Sequence, residues 1–301
     1  MSSNNRRKAI FALILANTIW GAASPIFKLA LQNIPPFTLA YIRFFGASLI
    51  LFPFTYKNLS VDRKDWSKLI LLSIMGITIN ISFFFWGLEK APSINAPIIA
   101  SSGPIFIYLF SIFILHEKAH PKILIGILLS LIGVLIFVGQ PILNKGIDGS
   151  LVGNIFFVIA ALGAVGHALI SKKILTKYRS LTITFWSFII GSITFLPFFV
   201  KEMVNLHPLL TLDYRGWVGI TFGVLLSSAL GYSLFEWGIE QIETQEVGIF
   251  TYIDPLVATL IALPLLGEAI TPIFLIGSIL IFAGIAIAEG RLHWHPLHKL
   301  T

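Results

Sequence analysis

Apolar residues run along most of this chain in blocks too long and too unbroken to be one face of a soluble helix. Ten blocks can be marked, at about 9–31, 36–56, 69–88, 93–115, 122–140, 151–171, 181–200, 216–238, 246–266 and 272–289. Each is roughly twenty residues of almost uncharged sequence, enough to cross about 30 Å of hydrocarbon as a helix. The connections between them are short. In lipid every backbone polar group must find its partner inside the structure, which leaves helices or a closed barrel. A barrel strand alternates apolar and polar positions over about ten residues, whereas 123–139 is apolar nearly throughout. The pattern predicts an all-α integral membrane protein with ten transmembrane helices.

The second half of the pattern repeats the first. Phe235, Trp237, Gly238, Glu240, Pro255, Glu268, Pro272 and Gly277 each have a residue of the same type 151 positions earlier, at Phe84, Trp86, Gly87, Glu89, Pro104, Glu117, Pro121 and Gly126. Trp217 and Trp66 obey the same offset. A match this long without a gap marks an internal repeat. The polar stretch at 144–150 divides the chain into 1–145 and 146–301, five blocks each. Five is odd, so the second half enters the membrane from the opposite side. Such inverted-topology repeats are typical of secondary transporters, with the substrate site near the midplane between the halves. The expected architecture is two five-helix inverted-topology repeats around a central cavity.

Composition sharpens this picture. Of 301 residues, 56% are hydrophobic and 12% charged, about half the charged share of a soluble domain. There is no cysteine, which excludes disulfides and thiol chemistry. The net charge of +7 does not indicate nucleic acid, because lysine and arginine concentrate on cytoplasmic loops of membrane proteins. With the N-terminus inside, only Lys90, Lys145, Lys201 and Arg215 fall on outer loops. Both termini are therefore expected in the cytoplasm.

Polar side chains inside the blocks are the candidates for chemistry. Lys28 lies near the outer end of the first block, either snorkelling to the interface or serving as a cavity cation. Arg43 lies about 10 Å inside the second block at 1.5 Å per residue, a depth at which an arginine faces a cavity or a partner. Asp254 precedes Pro255 well inside the ninth block, where the proline should open the helix. It reads as a protonatable or cation-binding group, or as a hydrogen-bond hub. Glu236 sits near the inner end of the eighth block, where a carboxylate is cheap to keep; it and His167 in the sixth block are further proton-coupling candidates. Asn80, Trp20 and Tyr252 are cavity-lining candidates. So are Trp86 and Trp237, which could equally belong to interfacial aromatic belts. Glu89, Glu117, Glu240 and Glu268 stand at block ends and read as caps or loop contacts. Gly126, Gly133, Gly277 and Gly284 mark the fifth and tenth blocks as close-packed, against each other or across a dimer. His293, His295 and His298 in the tail read as an interfacial cluster. No phosphate-cradling loop, metal-ligand cluster or nucleophile–base motif is visible, so neither cofactor nor enzymatic catalysis is expected.

Trp20-Gly21 followed by Lys28, Arg43 in the second block, Glu117, and Gly267-Glu268 resemble the EamA family of the drug/metabolite transporter superfamily over essentially the whole chain. The second half departs from the pattern: 163–173 lacks the tryptophan and carries His167. The resemblance implies a secondary transporter or exporter of small metabolites in the cell (inner) membrane. Mixed polarity around Arg43, Lys28 and Asp254 suits amino acids or related zwitterions. An organic-cation or drug exporter using a membrane carboxylate is the alternative. A lipid-handling or structural membrane protein is the alternative from another class. The expected partners are a small solute, membrane lipid and a coupling proton, with no nucleic acid, in a monomer or homodimer.

Overall fold

A computed structural model describes residues 3–103, 105, 106, 121–145, 149–241 and 248–289. The described residues are almost all helical. Helices α1 (Ser3–Ala30) and α2 (Pro36–Thr55) form the first two spans. The third is a rod of α3 (Trp66–Ser73), a π-helix (Ile74–Ile79) and α4 (Asn80–Lys90). A short α5 (Asn95–Ala100) follows, then α6 (Pro121–Lys145), α7 (Gly149–Leu175) and α8 (Ser180–Leu206). Residues 214–241 repeat the composite design with α9 (Tyr214–Thr221), a π-helix (Phe222–Leu230) and α10 (Gly231–Gln241). A 3-10 turn (Gly248–Tyr252) leads into α11 (Ile253–Leu266), and α12 (Pro272–Glu289) closes the described chain.

Among the described residues six stretches are long and apolar enough to cross a membrane: Asn5–Ala30, Pro36–Asn58, Arg63–Lys90, Ser150–Leu175, Ser180–Leu206 and Tyr214–Gln241. Three shorter apolar helices, Leu124–Ile136, Phe250–Leu266 and Pro272–Ile287, accompany them. The protein is thus a multi-pass, all-helical membrane protein. The block expected at 93–115 is described only as far as residue 106. Pro104, Glu117 and the tail histidines lie outside the described residues.

Two irregularities recur 151 residues apart. The π-helix Ile74–Ile79, moved by 151, falls inside the π-helix Phe222–Leu230. A π turn takes carbonyls out of register with the amides that would otherwise cap them, and such turns gather at functional sites. The turn at Ser101 and Ser102 after α5 likewise matches the junction between the 3-10 turn and α11. The sequence led us to expect Pro255 to open the middle of a span. It lies instead in the first turn of α11, where its missing N–H costs nothing, and Asp254 stands at a helix start.

Packing is reciprocal. Helix α1 packs on α10 and α11; α7 packs on α4 and α5; α2 pairs with α8, and α6 with α12. The last pair crosses through glycines. A Cβ on Gly133 would lie 2.8 Å from the Gly277 carbonyl oxygen, and one on Gly284 would collide with the Gly126 carbonyl and Ser130 Oγ. Ser130 Oγ donates across the crossing to Ile281 O at 2.9 Å. The glycine-rich blocks therefore meet each other within the chain. The interior is aromatic, with Phe27, Phe44, Phe85, Phe188 and Phe195 buried between α1, α2, α4 and α8. Outward faces carry bare apolar side chains such as Leu135 and Leu260, 67% and 73% exposed, as a lipid-facing surface requires.

Candidate functional site

Arg43 is the most deeply placed cation of the described chain. It is 2% exposed. Its Nε donates to Ser228 Oγ at 2.7 Å and its Nη2 to Ser227 Oγ at 2.9 Å, both on the second π-helix. The guanidinium lies over the rings of Phe27 and Phe44, 4.8 and 4.7 Å from their centroids. Gly223 leaves room for the arginine stem, since a Cβ there would crowd Arg43 Cγ at 3.3 Å. Among the described residues no carboxylate pairs with Arg43. Two of its five donors are satisfied by hydroxyls, and the charge is offset by ring faces at up to about 2 kcal/mol each when desolvated. A buried cation held without a counter-ion is costly, and an anionic ligand would remove much of that cost.

Trp20 joins the same cluster. Its Nε1 donates to Ser227 O at 3.1 Å, a carbonyl of the π-helix. Its ring meets Tyr232 edge-on at 5.1 Å and Phe235 at 4.8 Å. The next residue, Gly21, lets α1 approach α11 so closely that a Cβ would lie 2.8 Å from Asp254 O. Asp254 therefore flanks the Trp20 turn. Its Oδ1 is buried without a hydrogen-bond partner among the described residues, as are Asn17 Oδ1 and Ser24 Oγ. Asn17, Gly21, Ser24 and Lys28 share one face of α1 by their i, i+4 and i+7 spacing. The α1–α11 seam thus carries buried oxygens with unused bonding capacity.

A second cluster lies one turn further along the helix that carries Tyr232. His167 Nε2 is 2.9 Å from Glu236 Oε1, and Ser171 Oγ donates to Glu236 Oε2 at 2.9 Å. His167 Nδ1 is 3.2 Å from Leu72 O. Glu236 is 1% exposed, so it is not the cheap interfacial carboxylate its place near a span end suggested. Lys28, by contrast, neither snorkels nor stands free. Its Nζ donates to Ala91 O and lies 3.5 Å from Glu268 Oε1. Glu268 also accepts from Ser93 N at 2.7 Å and Ile94 N at 3.1 Å, making it the loop contact expected at a block end.

The remaining candidates are dispersed. Asn80 Nδ2 donates to Ala160 O at 2.8 Å, tying α4 to α7. Trp86 sits among Phe37, Phe83 and Phe156. Tyr252 packs edge-on against Phe282 at 5.7 Å. Trp237 lines a cavity of about 410 Å³ with Phe54, Arg179, Ser180, Ser233 and Glu240. Ser227, Ser228 and Ser171 were not singled out from the sequence; their only signal was a hydroxyl inside an apolar block.

The profile of the EamA-like transporter family matches residues 7–139 and 151–289, one match in each half. The chain belongs to the EamA-like transporter family. It is a membrane transporter of small metabolites and not an enzyme. It is similar to an uncharacterized transporter of Archaeoglobus fulgidus, 24% identical over 95% of this chain and 99% of that one. It is also similar to a probable amino-acid metabolite efflux pump of Escherichia coli, 26% identical over 98% of this chain and 99% of that one. A solved structure titled only as a crystal structure of a protein shares the fold with a TM-score of 0.66 at 17% identity, covering 96% of this chain and all of that one.

In this EamA-like transporter both ends of the bundle are tied. At the Lys28 end, Thr38 N and Oγ1 donate to Glu202 Oε2 at 2.6 and 2.8 Å, and Asp213 N donates to Asn33 Oδ1 at 2.9 Å. At the other end Lys177 bridges Asp62 and Asp65, Tyr178 donates to Asp65 at 2.8 Å, and Trp186 Nε1 donates to Leu59 O at 2.9 Å. The 410 Å³ cavity opens at this second end.

Proposed function

We propose that this protein is a secondary-active exporter of amino acids or related zwitterions, working by alternating access across the cell (inner) membrane. The observation that carries the reading is Arg43, buried at the second π-helix with hydroxyls and rings around it and no counter-ion among the described residues. A substrate carboxylate would supply the missing charge. Asp254, flanking Trp20 through Gly21 and carrying an unpartnered oxygen, would take the ammonium group. Trp20 and Tyr232 would shape the space for the apolar part. Of the two sequence-derived cations, Arg43 is favoured over Lys28 as the carboxylate anchor, because Lys28 already faces Glu268. The Lys28–Glu268 tie then reads as an outer gate. The named activity of the Escherichia coli relative, amino-acid metabolite efflux, agrees with this substrate class.

The architecture proposed is ten spans in two inverted five-span repeats, 1–145 and 146–301, around a cavity between the halves. The 151-residue offset, the paired π-helices, the paired breaks in the fourth and ninth spans and the reciprocal helix contacts all support it. The lysine and arginine bias places both termini in the cytoplasm, and hence the Lys177 end inside.

A thermal-shift screen of the purified protein against amino acids and organic cations tests the reading. A ligand that binds only the folded form at about a hundred times its Kd adds about 2.7 kcal/mol. Stabilisation by amino acids that disappears in Arg43→Lys supports it. Stabilisation by organic cations alone, lost in Asp254→Asn, would instead favour the drug-exporter reading, for which the unpartnered Asp254 Oδ1 is the specific support.

A further inference from the structure

We infer that His167 and Glu236 together hold one proton, and that this proton is the one exchanged during transport. The inference rests on the transport reading for its second half only. The first half follows from hydrogen-bond bookkeeping.

His167 Nδ1 faces Leu72 O at 3.2 Å. A carbonyl can only accept, so Nδ1 carries a hydrogen. Nε2 faces Glu236 Oε1 at 2.9 Å, and one proton must lie between them. It belongs either to a carboxylic acid donating to neutral imidazole or to an imidazolium donating to carboxylate. Both forms hold the same number of protons and both are neutral. The other carboxylate oxygen is occupied by Ser171 Oγ. Removing the shared proton would leave an imidazole lone pair against a carboxylate in a site where His167 is 8% and Glu236 1% exposed. Moving the remaining ring hydrogen to Nε2 would relieve that contact only by turning a bare Nδ1 toward the Leu72 carbonyl. The resting arrangement therefore keeps its proton until Leu72 moves away, when the imidazolium can give up its Nδ1 hydrogen to water as H⁺ and keep its Nε2 hydrogen on the carboxylate.

The surroundings reinforce this. From the third span comes the Leu72 carbonyl, and Gly76 one turn on leaves space that a Cβ would take from the imidazole ring. From α7 comes Ser171. On α10 itself Tyr232 stands one turn before Glu236. Arg43 is held by Ser227 and Ser228. From α8 the Tyr232 ring meets Phe188, and from α1 Leu13 packs on Gly238. No cation other than His167 reaches the carboxylate among the described residues. The repeat gives the asymmetry its meaning. The positions 151 residues earlier are Ala16 and Phe85, both buried and apolar. Only one half can carry a proton here, so the two faces of the transporter are not equivalent with respect to it.

The pair spans α7 and α10, elements from the same half, but its third member, Leu72, belongs to the other half. A rocking of the halves that moves Leu72 withdraws the acceptor fixing the Nδ1 tautomer. That couples proton release to the conformational step without contact with the substrate.

The test begins without substrate. At about pH 8 free histidine and glutamate side chains are both deprotonated. Unfolding the purified full-length protein in SDS at that pH, with a dye reporting proton release, should liberate about one proton more per molecule from wild type than from Glu236→Gln. Equal release from the two overturns the shared proton. The second arm uses liposomes containing a trapped pH dye and the amino acid that most stabilises wild type. Wild type should move protons with the amino acid in fixed ratio, and Glu236→Gln should show no proton movement accompanying whatever amino acid it carries. A Glu236→Gln protein that retains the wild-type ratio overturns the coupling role. If no amino acid is carried at all, the substrate reading fails, while the proton count still decides whether the pair holds its proton.

Discussion

At the scale of single residues, the account turns on which buried charges have partners. Lys28 and Arg43 looked alike in the sequence, two cations inside apolar blocks, yet one is tied to Glu268 and the other to serines and rings. They should therefore fail differently. Arg43→Lys keeps the charge but loses the planar fork that spans two hydroxyls. It should weaken amino-acid binding at least tenfold, read as a lost thermal shift, with the fold retained on size-exclusion chromatography. Glu268→Ala should leave binding in place and loosen the Lys28 end, since Ser93 N and Ile94 N lose their acceptor and Lys28 its counter-ion. The chain has no native cysteine, so Ser93→Cys offers a clean probe. Maleimide labelling at that site should speed up in the Glu268→Ala background, and an unchanged rate would contradict the gate. The depth of Arg43 was legible in the sequence. Ser227 and Ser228 were not, because hydrophobic patterning carries no information about which residues 184 or 185 positions away will face an arginine.

At the scale of elements, backbone irregularity and glycine do the positioning. The π-helices could not be read from the sequence, since a widened turn has the same apolar composition as the helix around it. The 151-residue offset was legible and pointed to matching halves, but not to what those halves do with their third spans. Gly76 shows the dependence directly. Gly76→Ala places a methyl where the His167 ring lies, and it should reproduce the lost proton release of Glu236→Gln although it removes no titratable group. The α6–α12 crossing makes a plainer prediction. Gly284→Leu forces side-chain bulk against the Gly126 carbonyl and Ser130. Overpacking of this kind costs about 1–3 kcal/mol or more, and a thermal melt should fall accordingly. An unchanged melting temperature would mean that the two helices do not cross there. Glu236 and His167 were each noticed in the sequence, but as separate candidates. They lie 69 residues apart on different helices, and their meeting depends on α7 packing beside α10.

At the scale of the whole molecule, the ties at the two ends set the background against which proton coupling must be measured. The Arg215 guanidinium holds the Asp213 carboxyl below its usual range. Its stabilisation is present above the ordinary carboxylate value of about 3.9 and is lost only as pH falls further. Asp62 and Asp65 raise the Lys177 ammonium above its usual range. That contribution is complete below the ordinary lysine value of about 10.4 and is lost as pH climbs beyond it. Between about pH 5 and pH 9 neither tie changes, so pH dependence of transport in that window does not come from them. Wild-type flux should vary with pH there and Glu236→Gln flux should vary less. The proposed carrier depends on a buried Arg43 that anchors a zwitterion. Counterflow of radiolabelled amino acid into proteoliposomes preloaded with the unlabelled compound is the deciding measurement. Saturable counterflow is expected in wild type and should collapse in Arg43→Lys. Absence of saturable counterflow for any amino acid, or equal counterflow in the two proteins, would contradict it.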